Sequence, residues 1–144
     1  MEFITKTAEE TQQLAGKILE EATKKPHRGA LVLALRGELG AGKTTFTQGL
    51  GAALGLKEKI LSPTFVVQKR FTINHKLFAN FYHIDCYRIG KPTELAELGF
   101  NEIIKGPDNL VVIEWAERIR DILPADTVWL EFEHVGDNER KIKF

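Results

Sequence analysis

The sequence predicts an α/β fold, and three observations carry that reading. Ala30-Leu-Val-Leu-Ala-Leu35 is an unbroken apolar run, as expected of a strand buried on both faces in a parallel sheet. A glycine-rich turn, Gly37–Gly42, follows it, and Lys43 to Leu54 then reads as a helix ending near Gly55. Leu110-Val-Val-Ile113 is a second run of buried-strand type, introduced by Pro107-Asp-Asn109. Strand, glycine turn and helix form the first unit of an α/β arrangement.

The remaining elements follow from periodicity. Residues 8–24 form an amphipathic helix: Leu14, Ile18 and Ala22 recur every four positions, and Ala15 and Leu19 widen the stripe. Thr7 is its N-cap, with Glu9 and Glu10 in the first turn, where the helix dipole favours negative charge. Pro26 and Gly29 break the pattern. Ile60-Leu61 reads as a short strand ended by Ser62-Pro63, and Phe65–Ile73 and Lys76–Ile84 as a hairpin around Asn74-His75. Glu94–Leu98 is a short helix stopped by Gly99. Thr127–Val135 alternates apolar and polar residues and pairs with Lys141–Phe144 across Gly136-Asp-Asn138. No repeat, low-complexity tract or linker interrupts the pattern, so residues 1–144 are expected to form a single domain.

Composition excludes several classes. With 144 residues, 43% hydrophobic and 28% charged, the chain can bury a core without metal or disulfide staples and is neither disordered nor collagenous. Twenty basic residues balance twenty acidic ones, which weighs against a non-specific nucleic-acid binder and against DNA as a partner. The one cysteine, Cys86, rules out an intrachain disulfide. Ala30–Leu35 is too short to span a bilayer, and Met1–Glu10 has no apolar signal-peptide core. A cytoplasmic protein with no membrane partner is expected.

Gly37-Glu38-Leu39-Gly40-Ala41-Gly42-Lys43-Thr44 matches the pattern G-x-x-x-x-G-K-[ST] in full. Glycines let the backbone turn tightly and bring N–H groups close to phosphate oxygens. The following helix N-terminus adds its dipole. Lys43 would reach the β- and γ-phosphates, the Thr44 hydroxyl would bind Mg²⁺, and Thr45 could contact the α-phosphate. The loop points to nucleotide binding and leaves the reaction type open.

Such a site needs an acid near the metal and a means of positioning a nucleophile. Two apolar runs end in one: Phe81-Tyr-His-Ile-Asp85 and Leu110-Val-Val-Ile-Glu114. Either could hold the metal or orient water, because ligands of α/β sheets bind at the carboxyl ends of strands. No Asn-Lys-x-Asp segment is present, which favours ATP over GTP. Ser62-Pro-Thr-Phe65 reads as an ordinary turn set by Pro63, or as a switch-like loop. Trp115 reads as core before partner contact, and Arg88 and Arg118 as salt-bridging residues before phosphate ligands. His83 and Cys86 flank Asp85, but one cysteine and dispersed histidines do not make a zinc site. Cys86 reads as a small apolar filler.

Taken together, the chain resembles the TsaE (YjeE) family of bacterial tRNA-modification ATPases. The match rests on Gly37–Thr45, Ser62-Pro-Thr-Phe65, His83-Ile-Asp-Cys-Tyr-Arg88 and Ile113-Glu-Trp-Ala-Glu-Arg118, in the family's order and spacing, with Leu123-Pro-Ala-Asp126 before a hairpin. The resemblance implies a P-loop NTPase-like, three-layer fold with a mainly parallel central sheet, flanking helices and β-hairpin additions. It implies a Mg²⁺-dependent ATPase required for threonylcarbamoyladenosine modification of tRNAs reading ANN codons. Its implied partner is the TsaD–TsaB heterodimer, with tRNA met only through that complex. Carried over by residue, Lys43 and Thr44 take the phosphate and Mg²⁺ positions, Glu114 the acid near Mg²⁺, and Asp85 the acid that orients water. Ser62 and Thr64 take the switch-like loop, Trp115 a tryptophan near the nucleotide, and Thr11 an approach to the base. Two other readings use the same loop: a small-molecule kinase, for which no lid-like insertion lies between Arg88 and Arg118, and a non-hydrolysing ATP-dependent binding module.

Overall fold

The computed structural model describes every residue except Leu39, Lys59 and 61–66. Its strands are β1 (Glu2–Thr5), β2 (Leu31–Gly37), β3 (Gln68–Thr72), β4 (Asn80–Asp85), β5 (Asn109–Glu114), β6 (Val128–His134) and β7 (Arg140–Lys143). Its α-helices are α1 (Ala8–Thr23), α2 (Lys43–Ala53), α3 (Thr93–Ala96) and α4 (Phe100–Ile103), and a 3-10 helix spans Ala116–Ile122.

The strands form one sheet in the order β1-β7-β6-β2-β5-β4-β3. Its centre, β6-β2-β5-β4, is parallel, whereas β3 and the β7-β1 pair add antiparallel edges. The central runs of β2 and β5, Leu31–Leu35 and Leu110–Ile113, are apolar because both faces are covered. Leu31, Leu33, Leu35, Leu110 and Val112 face α1 and α2, with Leu14, Ile18, Phe46 and Leu50 above them. Val32, Ala34, Val111 and Ile113 face the opposite layer, which includes Leu95, Phe100, Ala116 and Ile119. This is the three-layer, mainly parallel arrangement expected from the sequence. No helix of the described residues is long and apolar enough to cross a membrane.

Local chemistry accounts for the main boundaries. The Thr7 hydroxyl accepts from Glu10 N at 3.0 Å, while Lys6 N donates to the Glu10 carboxylate at 3.1 Å, so the α1 N-terminus is closed from both sides. Several boundaries differ from the sequence reading. Strand β1 has no apolar pattern to announce it and forms by pairing with β7, at the far end of the chain. The β3–β4 connection is wider than a turn at Asn74-His75, because Ile73 and Phe78 turn into the core and His75 stacks on Phe78 at 5.4 Å. Gly99 separates two helices, its left-handed backbone (φ 81°) opening α4. Ile60 is not in a strand and packs in the core; Leu61 lies outside the described residues.

Helix α1 lies directly on α2 at Gly49. A Cβ there would sit 2.5 Å from the Gln12 backbone, whereas one at Gly16 would meet only Ala53 Cβ, at 3.6 Å. Overpacking a rigid contact is destabilising, and adding a methyl to an open helical glycine is stabilising. Gly49→Ala should therefore cost about 1–3 kcal/mol, and Gly16→Ala should gain roughly 0.5–1 kcal/mol. Denaturant unfolding of the two variants, with unchanged m-values, checks the opposite signs.

Candidate nucleotide site

The site forms where three parallel strands end. Leu35 of β2 pairs with Glu114 of β5, and Glu114 pairs in turn with Asp85 of β4. Both acids thus reach the edge from which the glycine turn leaves β2. That turn starts at Gly37 (φ 144°), where a Cβ would stand 2.2 Å from the Phe132 carbonyl oxygen, so only glycine fits.

Lys43 opens α2 and is buried. Its ammonium donates to the carbonyls of Gly37, at 2.5 Å, and Glu38, at 2.9 Å. It also lies 4.1 Å from the centre of the Trp115 ring, within cation–π range. Burial pushes the Lys43 pKa down, and Glu117, Glu114, Asp85 and Glu38 pull against that shift. Trp115 is the one non-glycine residue with positive φ (59°) among those described. For a bulky side chain that conformation is costly. It turns the chain sharply after β5, and the indole lies beside Lys43 and Tyr87, 5.0 Å from the Tyr87 ring. Trp115 is therefore half-buried at the site rather than enclosed in the core. Arg118, read above as a salt-bridging residue, stacks on Tyr87 and Trp115 at 5.5 and 5.8 Å.

Next along α2, the Thr44 hydroxyl donates to Glu114 Oε1 at 2.9 Å, across 70 residues of sequence. The Glu114 side chain is buried, and its Oε2 bonds His83 Nε2 at 2.5 Å. Asp85, beside it, accepts from Tyr87 N at 2.9 Å. Burial raises the Asp85 pKa and the Glu114 charge adds to the rise, while the Tyr87 N–H, His83 and Lys43 oppose it. Cys86 is fully buried, its thiol pushed up to about 12 chiefly by burial, so it packs as a filler and is a poor nucleophile.

A cavity of about 190 Å³ opens on the other flank of the loop, lined by Thr7, Thr11, Gly42, Thr45, Asn138 and Arg140 among others. The Thr11 hydroxyl shares a 2.7 Å hydrogen bond with Thr5. Asn138 and Arg140 escaped the sequence reading. They come from the terminal hairpin, and only the β7–β1 pairing brings them to α1. Of the expected site residues, the structure joins Gly37, Glu38, Lys43, Thr44, Asp85, Glu114 and Trp115 at the strand ends. Thr11 and Thr45 line the cavity, and Gly40 and Ala41 lie in the intervening loop. Leu39, Ser62 and Thr64 fall outside the described residues.

The oxygen atoms of Thr44, Glu114 and Asp85 are hard donors of the kind Mg²⁺ takes. Among the described residues no group of three or more His, Cys, Asp or Glu is placed to hold a metal unaided.

The model of the family "threonylcarbamoyl adenosine biosynthesis protein TsaE" matches residues 5–142. The chain belongs to the TsaE family. The TsaE protein of Bacillus subtilis is 36% identical over 144 residues, covering 100% of this chain and 84% of that protein. That of Treponema pallidum is 33% identical, covering 99% and 98%. The crystal structure of Bacillus subtilis YdiB superposes with a TM-score of 0.75 at 32% identity, covering 99% of this chain and 82% of the other. These TsaE relatives are named for tRNA threonylcarbamoyladenosine biosynthesis.

The raised Asp85 pKa has a consequence for stability. The folded chain holds the Asp85 proton more tightly than the unfolded chain does. Stability from this group is therefore fully present at low pH, and it is lost as pH rises from the unfolded value through the folded one. Asp85→Asn removes the buried charge and keeps an oxygen for the Tyr87 N–H. It should raise Tm at pH 7.5, and the gain should shrink towards zero at pH 4, as read by calorimetry at both values.

Proposed function

We propose that this TsaE-family chain is a Mg²⁺-dependent ATPase that hydrolyses ATP to ADP and phosphate and acts on the TsaD–TsaB complex to support its turnover. One observation carries the reading. The motif lysine, the motif threonine and two strand-end acids meet at one sheet edge, with Thr44 bonded directly to Glu114. Lys43 and the loop N–H groups bind the phosphates and balance their charge. Thr44 and Glu114 hold Mg²⁺, which supplies positive charge to the phosphate oxygens. Asp85 orients the attacking water, a task that suits a carboxylate whose affinity for protons is raised by burial. The cavity beside Thr11 and Thr45 takes the nucleoside end, with Arg140 at its wall. The protein works in the cytoplasm and meets tRNA through its partner complex.

The experiment is phosphate release from ATP, measured alone and with TsaD–TsaB. Release that rises with the pair supports the proposal; no release in either condition leaves a binding module. A labelled small-molecule product from a metabolite extract indicates a kinase instead. Lys43→Ala should lower turnover by about a hundredfold or more, the cost of losing one preorganised donor. Arg140→Ala should weaken ATP binding while leaving turnover at saturating ATP close to wild type, a split that steady-state kinetics reads directly.

A further inference from the structure

The sequence reading left His83 without a task. In the structure its ring is 1% exposed, and its Nε2 lies 2.5 Å from Glu114 Oε2. Nε2 and Oε2 share one hydrogen bond, in which Nε2 is the donor when the carboxylate is ionised. The other oxygen, Oε1, accepts from Thr44 at 2.9 Å. His83 and Asp85 stand two residues apart on one face of β4, and Glu114 pairs with Asp85 on the neighbouring strand. The histidine is thus built into the strand that carries one site acid, and it grips the other.

We propose that His83 is a positioning residue for the metal: by occupying Oε2, it makes Glu114 a one-oxygen donor whose Oε1 is aimed at Thr44. This rests on the Mg²⁺–ATP reading above. Mg²⁺ demands near-octahedral geometry and is met by single oxygens, whereas a carboxylate presenting both oxygens suits a larger cation. A carboxylate anchored at one oxygen resists rotation, and chelation through both oxygens would compete with the His83 bond. Groups that orient a metal ligand in this way typically govern affinity by about 10–100-fold.

Two amides of different reach test the idea. His83→Gln places its N–H₂ near the original Nε2, and His83→Asn is too short to reach Glu114. Binding of a fluorescent ATP analogue is measured in EDTA and across a Mg²⁺ titration, with thermal unfolding as the check on folding. The asparagine variant should need about 10–100-fold more Mg²⁺ for half-saturation, with unchanged affinity in EDTA, and the glutamine variant should stay close to wild type. Equal behaviour of the two variants, whether both normal or both defective, overturns the proposal. If His83→Asn does not fold, His83→Gln decides alone: retention of the Mg²⁺ response supports the proposal and its loss overturns it. A wild-type chain that binds no analogue in either buffer sinks the nucleotide reading itself, and this inference with it. A Mg²⁺ response shared by wild type and both variants sinks only the role of His83.

Discussion

The structure around the site depends on one constraint, a carboxylate almost wholly buried from water. Glu114 ends a strand in which all six residues are buried. An isolated buried charge is expensive, and it is tolerated only where partners replace the lost hydration. Glu114 takes its partners from two other elements, His83 on β4 and Thr44 on α2. Meeting that requirement fixes the relative position of β4, β5 and the first turn of α2. Those are the elements that bring Asp85, Glu114 and Lys43 together.

The sheet supplies the rest of the precision. Parallel pairing puts strand ends side by side without any local sequence link, so residues from three parts of the chain share one edge. The apolar runs of β2 and β5 accept this because both faces are covered, one by each of the two clusters that flank the sheet. The close approach at Gly49 holds α1 against α2, and so sets the wall of the cavity that Thr11 and Thr45 line. Trp115 gives up a relaxed backbone at the turn after β5 and in return lies against the lysine.

What could be read from the sequence follows the same division. The helix stripe of α1, the strand before the glycine turn and the two strand-end acids rest on local patterns, and each was legible. The union of Lys43, Thr44, Asp85 and Glu114 could be expected because the motif and the strand-end rule use positions relative to elements. Strand β1 and the placement of Arg140 depend on pairing partners far along the chain, and the wide β3–β4 connection on the core that Ile73 and Phe78 enter, and no local period reports those. His83 shows the limit most clearly. Beside Cys86 and Asp85 it makes no zinc site and has no visible task, and its bond to a carboxylate 31 residues away appears only once β4 and β5 are in register. Trp115 divides the two kinds of reading: taken alone it reads as core, the resemblance puts it near the nucleotide, and the structure sets it half-buried beside Lys43.

The contacts of Lys43 and Glu114 differ in a way that bears on how such a site could work. The partners of Lys43 are two backbone carbonyls and the face of an indole, none of which carries a net charge. Exchanging them for phosphate oxygens would replace partial charges with full opposite ones, a gain enlarged by the burial that already penalises the lysine's charge. Glu114 has no comparable exchange at Oε2, because releasing His83 would leave two buried polar groups unpaired. One charged group therefore sits on contacts it can trade and the other on a contact it must keep. The indole beside Lys43 lies next to Tyr87 and Arg118, so a displacement of the lysine would be felt first by that aromatic pair and its arginine.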